Sequence, residues 1–158
     1  LEPSDALSTA IGQVEAELAA ALSSLDGWAE DVLARERSRI DELQRTWRAQ
    51  AVRIREMDAL LAEEEARSHE PAAPSAPPCP ANDRLRRSEE ARRQNFEKLR
   101  EVRRRAHDDL LGTLAWVREL VSMIQLAKLT GAPASRAGEL VAQIAASVEG
   151  LSEVTGWR

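Results

Sequence analysis

The sequence predicts an all-α protein made of long coiled-coil helices joined by a proline-rich linker, with a C-terminal helical hairpin forming a small bundle. Three observations carry this. Charged residues make up 31% of the chain and aromatic residues only 3%, with an alanine-, glutamate-, arginine- and leucine-rich remainder, the mixture of long helices. Apolar residues recur at alternating steps of three and four, the period of a helix that packs along one seam. Five prolines crowd residues 70–81, EPAAPSAPPCPA, where no helix continues.

The first long helix is expected over 4–69. Pro3 precedes it, Ser4 is a good N-cap and Asp5 suits the positive first turn. Leu7, Ile11, Val14, Leu18, Ala21 and Leu25 form one seam. A second runs through Ile40, Leu43, Trp47, Ile54, Met57 and Leu61 and extends back to Leu33 and Ala29. The seams meet in SSLDGWAED (23–31), where Leu25, Ala29 and Leu33 are spaced four and four. That step is a stutter, which unwinds a coiled coil locally without breaking it. Gly27 costs a helix about 1 kcal/mol relative to alanine. The spacing therefore favours one helix through Gly27, on the order of 95 Å long at 1.5 Å per residue.

Residues 70–81 form an extended linker, and Asn82 or Asp83 caps the second long helix, expected over 82–130. Its first half is an arginine-rich shaft with a thin seam of Leu85, Leu99, Val102 and Ala106. Its second half carries Leu110, Leu111, Leu114, Val117, Leu120, Val121 and Ile124, a stripe wide enough to need two neighbours. Thr130-Gly131-Ala132-Pro133 ends it. A C-terminal helix over 133–155, with Val141, Ile144, Val148 and Leu151 inward, is expected to pack back on 110–130. Folding the two long helices together about the linker sets Glu63, Glu64 and Glu65 against Arg86, Arg87, Arg92 and Arg93. The expected result is a three-helix bundle at one end and an antiparallel helix pair at the other. Buried apolar surface is small for 158 residues, so partner helices are expected to supply more.

Composition argues against chemistry. With two histidines and one cysteine, converging metal ligands are not expected. Cys79 lies in the linker with no ordered base beside it, and the seven glycines are scattered, with no phosphate-cradling loop among them. No enzyme activity, cofactor or metal is expected. A single cysteine excludes an internal disulfide and fits an intracellular protein, cytoplasmic or nuclear. Arg118, Glu119 and Lys128 interrupt the apolar stretch 110–129, so no transmembrane segment is expected.

The heptads resemble those of coiled-coil subunits of cytoskeletal, kinetochore, nuclear-pore and tethering complexes alike. The expected function is therefore a non-enzymatic scaffold subunit whose partners are other coiled-coil chains, in a homo- or hetero-oligomer. Its packing positions would be Leu18, Leu25, Trp47, Ile54, Leu114, Val117, Ile124, Ile144 and Val148, with Trp47 and Trp116 as candidate anchors. An alternative uses residues 84–105, ten bases and four acids, to bind a polyanion such as nucleic acid, acidic protein tails or anionic lipid. Arg100, Arg103, Arg104 and Arg105 would carry it. An acidic chain of net charge −5 with Phe96 as the shaft's only aromatic residue makes nucleic acid the weaker partner.

Overall fold

The computed structural model describes residues 3–23, 30–69 and 80–130, together with positions 139 and 142. Among them the chain is nearly all helical, in three helices: α1 (Pro3–Ser23), α2 (Glu30–Ser68) and α3 (Pro80–Thr130). Two starts fall earlier than the sequence pattern places them. Pro3 and Pro80 lie inside their helices, because proline lacks only an N–H that the first turn leaves unbonded anyway.

The main correction concerns the single helix over 4–69. The indole Nε1 of Trp47 donates to Glu15 Oε1 at 2.8 Å, across 32 positions of sequence. A single uninterrupted helix would hold those residues about 48 Å apart. The chain therefore reverses, and its direction follows from reach. Glu15 lies about 12 Å along α1 from Ser23, and Trp47 about 26 Å along α2 from Glu30. With the helices side by side and parallel, Ser23 and Glu30 would be about 38 Å apart, whereas seven peptide steps span at most about 25 Å. Antiparallel helices need only about 14 Å along their axes. The stretch around Gly27 itself, residues 24–29, lies outside the described residues.

The chain divides into two compact units, Leu1–Val52 with Asp108–Arg158, and Arg53–His107. In the first, Leu7, Ile11, Val14, Leu18 and Ala21 of α1 are buried, as are Ile40, Leu43, Trp47 and Ala51 of α2. From α3 come Leu110, Leu114, Val117, Leu120, Val121 and Ile124. The helices pack as a three-helix bundle in which α1 is a member. The expected third helix, 133–155, lies outside the described residues except for Glu139 and Ala142, both helical and exposed. On α3, Leu110, Thr113, Val117, Leu120 and Ile124 continue one heptad seam. Leu114 and Val121 sit one position beyond it on the same side, and their burial is what contact with a further helix produces. Thr113 is the one buried polar residue among the described residues, and its hydroxyl donates to the Asp109 carbonyl at 3.0 Å.

In the second unit, Ile54 and Met57 are the buried apolar side chains among the described residues. Counting back in sevens from Leu110 puts Arg103 and Phe96 on the seam, with Leu99 and Ala106 between. All four are partly buried. Val102, expected on the seam, is instead 46% exposed, and Leu85 is exposed as well. The guanidinium of Arg103 forks onto the Asp58 carboxylate, Nε to Oδ1 at 2.7 Å and Nη2 to Oδ2 at 3.3 Å. Arg92 pairs with Glu64, a residue on the α2 seam. Descending numbers on α2 meet ascending numbers on α3, so this pair is antiparallel. Glu64 meets Arg92 in the neighbourhood that the charge pattern anticipates.

Candidate functional site

The most constrained polar arrangement in the described residues is the meeting of α1 and α2 at Glu15. Seam periodicity places Val14 and Trp47 inward. Their chain neighbours Glu15 and Arg48 therefore emerge at the rim of the contact. Arg48 forks onto Glu15, Nε to Oε1 at 2.8 Å and Nη2 to Oε2 at 2.7 Å. Trp47 shares Oε1. One carboxylate thus accepts three hydrogen bonds, two of them charge-assisted and bidentate. It also satisfies the only polar atom of an indole that is 1% exposed. A buried indole N–H left without an acceptor is costly, so Glu15 fixes the register of α1 on α2. On a neighbouring face, Arg118 of α3 reaches Glu17 of α1 at 3.5 Å.

The Arg48 hydrogen bonds hold the Glu15 carboxyl below the usual carboxylate value, against the opposing effect of burial. The Trp47 N–H and the charge of Arg48 add to the lowering. A carboxyl whose folded pKa is depressed contributes stability above its unfolded value, and that contribution disappears as pH falls through the folded value. We expect an acid-side loss of α1 docking that Glu15→Gln removes, giving a flatter melting temperature below about pH 4.5. Thermal melts of both proteins across an acid pH series check it, and parallel curves would deny Glu15 this role.

The expected packing positions fall in two groups. Leu18, Trp47, Ile54, Leu114, Val117 and Ile124 are all buried within the chain. In this conformation they hold the protein's own core. Leu25, Ile144 and Val148 lie outside the described residues. Trp47 is therefore an internal anchor, whereas Trp116 is 42% exposed on the edge of the α3 stripe.

The arginines expected to bind a polyanion are largely engaged with acids of the same chain. Arg103 holds Asp58, and Arg104 and Arg105 both bond Glu101 on their own helix. These bonds hold the Glu101 carboxyl below its usual value, Arg104 contributing most. Arg100 is exposed. Further along the shaft, Arg93 and Gln94 bond Glu90, and Arg92 lies over the Phe96 ring, 5.7 Å from its centroid.

Among the described residues no group of three or more His, Cys, Asp or Glu side chains could hold a metal ion. Cys79 lies outside them. By length and composition alone, one window of α3 is apolar enough to cross a membrane, and 41% of it is buried inside the protein. The core helix of a bundle and a membrane span share that composition.

Glu15, Arg48 and Asp58 are contact residues that apolar periodicity does not single out. The usable signal is adjacency: an acid or base directly beside a seam residue sits at the rim of the helix contact, where opposite charges can meet. Comparison with protein-family models, with curated proteins and with solved structures returns no match, so the functional reading rests on the residues of this chain.

Proposed function

We propose that the chain is a non-enzymatic assembly subunit that associates with other helical chains through apolar surface on α3. The observation supporting this is the far end of that helix. Leu126 and Leu129 are 61% and 86% exposed, and Leu111 and Trp116 are close to half exposed. Single exposed leucines are ordinary on a protein surface. Several on one bundle helix, beside a filled core, give a partner helix something to bury. The partners are coiled-coil chains inside the cell, in the cytoplasm or nucleus. The protein functions through packing, with no cofactor and no membrane span. Pairing of Arg103, Arg104 and Arg105 with internal acids favours this reading over polyanion binding.

Light scattering after gel filtration, over a concentration series, tests the proposal. The wild-type chain is expected to exceed its single-chain mass of 17.5 kDa as concentration rises. The double variant Leu126→Glu, Leu129→Glu is expected to stay at the single-chain mass with an unchanged helical circular dichroism spectrum. A wild type that remains a single chain throughout, or a double variant that associates as before, would overturn it.

A further inference from the structure

We infer that residues 53–68 of α2 are a releasable cover on α3. They come away from the arginine-rich shaft while the bundle of the first unit stays folded, and ionic strength sets how often they do so. This goes beyond the assembly reading and does not depend on it.

Three observations lead here. The first is the difference in what holds each unit. The first is built on apolar seams from three helices, with Leu18, Trp47 and Leu110 among the side chains sealed from water. In the second, Ile54 and Met57 are the buried apolar side chains among the described residues. Leu61, Phe96, Leu99 and Ala106 are only partly covered. A segment with few buried apolar contacts opens at a lower cost than the whole fold.

The second is the kind of bond that ties the pair. Asp58 holds Arg103, and Glu64 holds Arg92. All four side chains keep contact with water, from 18% exposed at Glu64 to 47% at Arg92. Ion pairs so placed contribute modestly and weaken as salt screens them.

The third is an asymmetry between the two helices. The α3 shaft carries ties of its own, Arg93 and Gln94 on Glu90 and Arg104 and Arg105 on Glu101. Pairs three and four positions apart support a helix that has no neighbour. Among the described residues, 53–68 hold no ion pair between themselves. When the pair parts, α3 keeps its helix, anchored through the buried run from Leu110 to Ile124. Residues 53–68 are the half that loses support. Opening bares the α3 seam at Phe96, Leu99 and Arg103, and closing covers it again.

Amide hydrogen exchange of the full chain, followed by mass spectrometry, tests this. It is run at about 0.01 M and about 1 M sodium chloride, where charges are screened over about 30 Å and about 3 Å. At low salt, residues 54–68 are expected to exchange about ten-fold faster than residues 40–51 of the same helix. High salt should speed 54–68 by about five-fold, the effect of weakening two such pairs, and leave 7–21 and 110–124 within about two-fold of their low-salt rates. Residues 85–105 should stay better protected than 54–68.

Asp58→Asn removes one tie. It should speed exchange of 54–68 by about three-fold at low salt, with 7–21 and 110–124 unchanged. The charge-swapped chain, Asp58→Arg with Arg103→Asp, should return 54–68 towards the wild-type rate, which a merely local packing defect would not do. Equal rates over 40–51 and 54–68, rates in 54–68 that ignore salt, or a shaft that exchanges as fast as 54–68 would overturn the inference. Loss of protection in the first unit of Asp58→Asn would do so too, because the two units would then melt as one.

Discussion

Replacing Ile124 by aspartate is expected to unfold the first unit of the protein at room temperature. Ile124 is 2% exposed, on a seam continued by Leu120 and Val117. A carboxylate there has no donor among the described contacts, and burying an unpaired charge lies at the severe end of what a single substitution does, beyond about 4 kcal/mol. A domain of this size has a total stability of about 5–15 kcal/mol. The measurement is amide hydrogen exchange with far-ultraviolet circular dichroism. Protection should vanish in α1, in residues 37–52 of α2 and in the second half of α3 together, because these segments share one core. If Ile124→Asp keeps wild-type protection there, the core has been assigned wrongly. The variant would also abolish assembly, but through loss of the bundle that presents Leu126 and Leu129, which is why surface substitutions test the interface more cleanly.

Trp47→Ala is expected to cost about 3–5 kcal/mol, the range for removing a large buried aromatic side chain. Trp47 is 1% exposed and is the largest of the fully buried side chains. Its loss also deprives Glu15 of one of its three donors. Trp47→Phe separates the two effects. It retains most of the ring's volume and removes the N–H, so its cost should be near 1 kcal/mol, about that of a single hydrogen bond. Denaturant melts of the three proteins measure both. Equal stability of Trp47→Ala and wild type would mean that the α1–α2 contact contributes little to the fold.

The parts of the fold that are legible in the sequence are those in which apolar residues carry the period. All five residues of the α1 seam from Leu7 to Ala21 are buried, as are Ile40, Leu43, Trp47, Ile54 and Met57. The broad α3 stripe calls for two neighbours and has them. The identity of one neighbour is not legible. Leu25, Ala29 and Leu33 read the same whether a helix passes through them or the chain turns back, since a stutter and a reversal both offset one seam from the next. The deciding information is the Glu15–Trp47 contact, a long-range match of one rim carboxylate with one indole. Periodicity holds no trace of it.

The seam of the second unit is obscured for a different reason. A charged residue at a seam position looks like a gap, so the apolar pattern steps from Leu99 to Val102 and passes over Arg103. The phase is fixed by Leu110, seven residues later. The candidate interface divides along similar lines: residues with strong apolar period prove to be internal, whereas the exposed Leu126 and Leu129 stand off the seam.

The charged seam in Arg53–His107 also determines which helices refuse each other. Two α3 helices laid parallel and in register would place Arg92 against Arg92 and Arg103 against Arg103, with no carboxylate at either level. Two α2 helices would do the same with Glu64. Like charges across a seam penalise the homotypic pairings that apolar heptads alone would permit. A chain with so thin an apolar seam would otherwise be open to many helical partners. The arginines and the glutamate thus count against parallel, in-register pairing of two α3 or two α2 helices.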